Sequence, residues 1–596
     1  MRRTHRLAAA TAVIAVVLPL LAPVGARAAA FTLCDAADGS TPTVAQADAL
    51  LANKYTFFPF STVTLPSNLT WKENPFHNDS WVLKLHQMFW TEPLWYAYTQ
   101  TGLTKYRDRY VALLKDWYYN NPTTNPPSPW SWAQHSTAIR AMVVSCAVAR
   151  GFGYSWMHAL ADEHGRLLAS SSFYLQTGNR ALDQDIGLLD IGCVRANTSW
   201  KNTAVSRTNA WAVHDVDAQG VSTEQSDGYN SYVYHHLDLA ARRMAACGVA
   251  TSTVTSQDQK MVNFIANAET PFGTFVGFGD TSTGRIPYDW NNRSSILNWM
   301  YSNGGPGLSP PTLPLYATFG RGFAFFRSSW GDSGTVNQQT HVMVRFGEGM
   351  AQHGHMDSGE VTLEAYGDKL LLDSGGPYVY VATDPYRRYF VSERANNTMS
   401  IDGVPMRAPG WTYLHGESHD ANMDFVSVWH LKFSGVTTVR HVLYDRRLNV
   451  MLVEDALTAS GPVAFRQTWH LRQGANPAFV GRYKFYTRSP SGPNVAVTQL
   501  FGGKTQEAHT GATNPVQGWL VMPPGKIAAP AVEVKTVGRS ARYITLIVPS
   551  PAGSTRSATT SNLQVTSTGF SIDVTLGGMT DHIMVSNSSA SLMILS

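Results

Sequence analysis

A change of hydrophobic period near the middle of the chain limits its possible folds more than any other feature. From about residue 80 to 270, apolar side chains return at helical spacing. Trp81, Leu85, Phe89 and Trp90 mark one face, Gly102 stops that helix, and Thr104 opens another that runs to Trp117. Further helices are expected over residues 134–149, 154–174, 179–192, 224–247 and 256–268, joined by short polar turns. Short connections make successive helices antiparallel neighbours, so residues 29–305 should form a helical bundle or an α/α toroid. The Gly/Pro-rich run 304–314 admits no regular element and marks a domain boundary. Beyond it the period becomes two: Val342, Val344 and Phe346 alternate with His341, Met343 and Arg345, and Val361, Leu363 and Ala365 with Glu360, Thr362 and Glu364. Strands separated by Gly, Asn and Ser turns continue to the end, so residues 315–596 should form an antiparallel β-sandwich. A chain of 596 residues is too long for one core, in keeping with two large domains.

Residues 1–28 read as a secretory leader: Arg2, Arg3 and Arg6, an apolar run from Leu7 to Leu21, and a small-x-small pattern ending at Ala28. The run is short for a membrane span and none follows that is longer, so an exported, soluble protein is expected. The 46 Lys and Arg less the four Arg of the leader equal the 42 acidic residues. A balanced mature chain has no global field for nucleic acid, and an anionic partner would have to be met by local charges. Cys34, Cys146, Cys193 and Cys247 show no metal-binding spacing; export permits disulfides, in any of three pairings. Seventeen Trp and 25 Tyr serve large cores and also suit a sugar-binding cleft.

The densest chemistry lies in His353-Gly354-His355-Met356-Asp357, followed by a predicted hairpin that returns Asp373 towards both histidines. Two imidazoles and a carboxylate can make a metal site or an acid/base site, and as a bare pattern they equally fit satisfied loop groups. The longer stretch HGHMDSGEVTLEAYGDKLLLDSG, with RANNTMSIDG after it, closely resembles the central region of heparinase II/III-like polysaccharide lyases, a superfamily that includes alginate lyases. WVLKLHQMFWTEPLWYAYTQTGLTKY and EQSDGYNSYVYHH resemble its helical half, so the likeness spans roughly residues 70 to 475.

The resemblance implies an incomplete α/α toroid followed by a β-sandwich, with the site between them, and β-elimination on a 4-linked uronate of an anionic polysaccharide. That reaction needs a group to neutralise the uronate carboxylate, a base for the C5 proton and an acid for the O4 leaving group. By motif, Asn179 matches the neutraliser, against a plain helix cap. Tyr229 matches the acid, against a core aromatic, and His353 the base. His355 and Asp373 match ligands of one ion, usually zinc, and more structural than catalytic in role. Where relatives read Arg-Ala-His-Asn-Thr this chain has Asn396, a poor zinc ligand, and His415 or His419 is an alternative third ligand. Gln134, His135, Arg140 and Arg180 in the helical half, and Tyr380, Arg387, Arg388 and Tyr389 after Asp373, are candidate substrate-binding residues, each with an ordinary surface or helix-pairing role as the simpler reading. His430, His441 and His470 fall in strands as structural histidines.

Two other functions compete. A glycoside hydrolase could draw on Asp215, Asp217, Glu224 and Asp227 but leaves Tyr229 and His353 idle. A non-catalytic glycan-binding protein needs no proton donor and acceptor in one cleft. No organic cofactor is implied.

Overall fold

The computed structural model describes residues 34, 42–281, 294–407, 410–429, 433–503, 505–523 and 525–595. The leader and His430 lie outside them. Helices Val44–Leu51, Asp79–Gln87, Glu92–Thr101, Thr104–Asn120, Gln134–Ala149, Ser155–Ala169, Asn179–Val194, Thr198–Asp215, Asp227–Ala246, Ser252–Ala268 and Ser295–Tyr301 build the first half. Asn179–Val194 packs on the Gln134, Ser155, Thr198 and Asp227 helices. It is buried nearly all round and takes Asp183, Asp185 and Asp190 inside with it. Carboxylates so placed need partners. Asp183 receives two histidines and a tyrosine, Asp185 receives Tyr174, and Asp190 lies 3.8 Å from Arg243.

Two sequence expectations are corrected here. The helix from Trp81 ends at Gln87, because Met88 turns left-handed at φ 63° and Phe89–Thr91 is a 3₁₀ turn. Gly102 at φ 70° caps the next helix. The sequence reading also passed over Thr198–Asp215, whose buried positions include the small Ala204, Thr208 and Ala212 and so give little hydrophobic contrast. The cysteines pair as Cys34–Cys146 and Cys193–Cys247; the second bond joins the C-terminal ends of two helices that begin at the site.

The second half is layered. A five-stranded antiparallel sheet, Tyr316–Phe319, Phe323–Arg327, His341–Arg345, Val361–Ala365 and Asp368–Leu371, runs in sequential order. Phe326, Val342, Val344 and Leu363 on one face pack on Val426, Val442 and Val453 of an 11-stranded sheet. The far face of that larger sheet carries Phe425, Leu443 and Leu452, covered by Ile572, Val574 and Ile583 of a four-stranded sheet. This is the sandwich, with an added outer layer.

The alternation read from sequence does not divide core from solvent in the five-stranded sheet. Strands His341–Arg345 and Val361–Ala365 are buried on both faces. Phe323, Phe325 and Met343 pack on Phe264, Val276 and Phe278 of the helical half. Polar residues of the same strands bond there too: His341 to the Asn267 carbonyl and Arg345 to Gln225. A sheet with one apolar face and one mixed face is thus sealed by the toroid, and the site forms at that seam.

Candidate active site

Two helices begin at the seam, at Asn179 and Asp227, and the helix opening at Gln134 packs beside the first. The Asn179 helix is entered through Gly178 at φ 77°, a conformation that favours glycine. Two carboxylates hold this turn: Asp215 accepts from the Gly178 N–H at 2.9 Å and Glu224 from the Asn179 N–H at 2.5 Å. Asn179 is therefore the first helical residue and does not cap, and its carboxamide makes no hydrogen bond among the described residues. It remains a donor for an incoming group.

Facing it, the His353 loop hangs from the sandwich and is clamped to the helical half through its backbone. The His353 N–H donates to the Glu224 carbonyl at 3.1 Å, and the Asp280 N–H donates to the His353 carbonyl at 2.8 Å. The imidazole lies flat on Tyr229, centroids 3.5 Å apart and planes 6° apart. Its Nδ1 is 3.3 Å from Asp280 and its Nε2 is 3.6 Å from Glu224. Asp280 also meets His355 Nε2 at 3.0 Å and takes a two-armed bond from Arg387, at 2.6 and 3.1 Å. Burial would raise the Asp280 carboxyl, but bonds from His353, His355 and Arg387 hold it well below the usual range.

Tyr229 and His353 meet as stacked rings, and the tyrosine hydroxyl lies beside Tyr380. Burial pushes Tyr229 up to about 12 and Glu224 up to about 7. Tyr229 hence keeps its proton near neutral pH. With Asp280 accepting the Nδ1 proton of His353, the Nε2 lone pair is left as the basic atom.

The candidate ion ligands also converge. His355 Nδ1, Asp373 Oδ2 and Asn396 Oδ1 are buried without a hydrogen-bond partner among the described residues. Each is aimed by its other polar atom: His355 Nε2 on Asp280, Asp373 Oδ1 on the Gly375 N–H at 2.6 Å, and Asn396 Nδ2 on the carbonyls of Met356 and Ser392. A Cβ at Gly375 would lie 2.8 Å from His355 Nδ1, so glycine keeps this space open. Three oriented orphan atoms fit a small cation, and the Asp280–His355 bond is the outer-sphere bond such a histidine commonly makes. His415 does not join them: it is exposed on strand Gly410–His419 and stacks on Trp429 at 3.5 Å, while His419 stacks on Tyr316. The other acid and histidine cluster, Glu507, His509 and Glu533, already holds a cation, since Arg466 lies 2.5 Å from Glu533.

Of the other candidates, Gln134 and His135 open their helix half-buried, and Arg180 is exposed near enough to act electrostatically on Glu224 and Tyr229. Tyr380 is half-exposed beside Tyr229. Arg388 points away and donates to the Ala382 carbonyl. Two assignments fail. Arg140 is fully buried between Trp117 and Trp132 and bonds His164 and the His86 carbonyl. Tyr389 is buried against His470. Both sit on the inward face of their helix, which faces the core. His441 and His470 are structural, bonded to Glu454 and Tyr389. Of the proposed hydrolase acids, Asp215 braces Gly178 and Thr223, and Asp217 closes its own turn and pairs with Arg321.

Asp280 was missed, and Glu224 was considered only as a hydrolase acid. Glu224 stands inside the EQSDGY motif five residues before Tyr229; Asp280 is a lone acid after Gly279 with no spacing to mark it.

The profile of the heparinase II/III N-terminus matches residues 34–296, and that of the heparinase II/III-like C-terminal domain matches 321–561. A heparin-sulfate lyase of Bacteroides thetaiotaomicron is 21% identical over 567 residues, covering 83% of this chain and 76% of that protein. Among solved structures, heparinase III superposes with TM-score 0.74 at 18% identity, over 97% of this chain and 93% of its own. A heparan sulfate lyase from Pedobacter heparinus gives 0.66 at 16%, over 95% of each. With toroid, sandwich and the Asn179, Tyr229 and His353 motifs meeting at one seam, the chain belongs to the heparinase II/III-like family of polysaccharide lyases.

Proposed function

We propose that this enzyme cleaves a uronate-containing glycosaminoglycan or similar anionic polysaccharide by β-elimination, giving an unsaturated product. The observation that carries this is the Tyr229–His353 stack opposite the unpaired Asn179 carboxamide. A uronate carboxylate meeting Asn179, with exposed Arg180 beside it, is held in the state in which C5 becomes acidic. His353 Nε2 takes the C5 proton, with Asp280 fixing the ring through Nδ1. Tyr229, protonated near neutral pH, gives its proton to O4 and can be resupplied through Tyr380. The C5–H and C4–O bonds break, a C4=C5 double bond forms, and the free hydroxyl end leaves.

His355, Asp373 and Asn396 would hold one divalent cation, zinc or a harder ion given the two oxygen donors. Its part is structural, bracing the loop that carries His353. Export after cleavage at Ala28 fits the two disulfides.

The test is ultraviolet absorbance while the mature protein meets heparan sulfate, chondroitin, hyaluronan and alginate separately. A rise with one polymer that Tyr229→Phe abolishes is expected; new reducing ends without a rise would replace the lyase with a hydrolase. Thermal unfolding with and without chelator, in wild type and Asp373→Asn, reads the ion: only the wild type should lose stability on chelation.

A further inference from the structure

One turn along the Asn179 helix, on the same face, Asp183 is fully buried yet receives three donors. Tyr232 Oη lies at 2.7 Å and His135 Nε2 at 3.0 Å from one oxygen, and His236 Nδ1 at 2.7 Å from the other. Tyr232 in turn stacks on His236, centroids 3.8 Å apart, and lies 6.3 Å from the Tyr229 ring. Burial opposes the ionised carboxylate, but the two histidines hold Asp183 well below the usual range. An ionised carboxylate only accepts, so both histidines must donate to it. That fixes His135 with its proton on Nε2 and leaves Nδ1 as the free atom of a side chain one-fifth exposed.

Resting on the lyase reading above, we infer that His135, held by Asp183, is a second recognition point in the cleft, accepting a hydroxyl of the sugar next to the one being opened. Gln134 and His135 open their helix as Asn179 opens its own, so both recognition points stand at the ends of adjacent inner helices. Asp183 is a positioning residue: it touches no sugar and acts through His135. Tyr232 and His236 complete its shell, which keeps a buried charge satisfied where a simple core would place an apolar residue.

The experiment is steady-state kinetics of wild type, His135→Gln, Asp183→Asn and the double variant on the polymer that gives the fastest ultraviolet rise. Gln keeps an N–H for Asp183 while removing the second ring nitrogen. Expected is a KM about tenfold higher for His135→Gln, with kcat within about twofold of wild type, a similar KM for Asp183→Asn, and no further loss in the double variant. An unchanged KM in His135→Gln overturns the inference, as do additive losses in the double variant. Should Asp183→Asn fail to fold, His135→Gln decides alone. A wild type that gives no absorbance rise on any polymer removes the lyase reading instead. Equilibrium binding of heparan sulfate to wild type and His135→Gln then still decides the recognition point, equal affinities overturning it.

Discussion

Two tyrosines three residues apart on one helix are each stacked on a histidine that is bound to a buried aspartate, yet only one is placed for chemistry. Tyr229 lies on His353 with Asp280 behind it, and Tyr232 lies on His236 with Asp183 behind it. The difference is where the hydroxyl goes. Tyr232 donates to Asp183 at 2.7 Å, whereas Tyr229 turns to half-exposed Tyr380. The origin of the parts differs too. Asp183 and its three donors all come from the helical half, so that cluster is complete within one domain. His353 and Arg387 come from the sandwich while Asp280 comes from the helical half, so the second cluster exists only when the domains dock. Reactivity here follows from leaving the Tyr229 hydroxyl, one ring nitrogen of His353 and the Asn179 carboxamide available at a seam, with Asp280 and Arg387 bonded to each other behind them.

The sharpest way to break the comparison is to remove each histidine. His353→Gln is expected to lower kcat by about 10²–10⁴-fold, the usual worth of a positioned proton-transfer group, while His236→Gln, whose ring carries no proton for the reaction, should act chiefly on thermal stability. Equal losses of kcat in both would make the two stacks equivalent and sink the assignment of roles. On stability the ranking reverses. Asp183→Asn leaves two histidines and a tyrosine short of their charged partner in the interior and should cost about 3–5 kcal/mol, read by denaturant unfolding.

Glu224 separates the clusters by pH. Its carboxyl titrates at about 7 in the folded protein against an ordinary value near 4.5, burial being the main cause. Between those values the folded state binds the extra proton, so stability falls as pH rises from about 4.5 to 7, by at most about 3 kcal/mol. Glu224→Gln should flatten that decline, with little change below pH 4.5. For Asp183 the sign is opposite: its carboxyl is held low, so its contribution is present above the ordinary carboxylate range and is lost on acidification. Unfolding curves of Glu224→Gln that still decline over this range would assign the pH dependence to another acid.

How much of this could be read from the chain divides along the same line. Helices 134–149 and 179–192 were legible to within two residues, and the period switch gave the two fold classes. Asn179, Tyr229 and His353 were legible through motif, and the structure brings all three to one seam. Arg140, on a toroid helix, and Tyr389, on the short helix Pro385–Phe390 of the sandwich half, were misplaced because a one-dimensional pattern does not say which face of a helix looks inward. Asp280 was invisible for a different reason: its three partners are 73, 75 and 107 residues away, and nothing local to Gly279-Asp280 records them.

Asp280 therefore gives the smallest but most informative prediction. As the acid that, among the described residues, bonds His353, His355 and Arg387 together, it links the reacting ring to the candidate ion site. Asp280→Asn keeps the shape and one acceptor but loses the charge that receives two histidines and a guanidinium. A positioning role predicts kcat lower by about 10–100-fold, the usual range for an outer-sphere partner, with KM nearly unchanged because Asn179 and Arg180 still meet the substrate. If Asp280 also steadies His355 as an ion ligand, chelator should lower the unfolding temperature less in Asp280→Asn than in wild type. A fall in kcat with an undiminished chelator effect would confine Asp280 to the proton-transfer ring, and an unchanged kcat would show that the stack on Tyr229 alone orients His353.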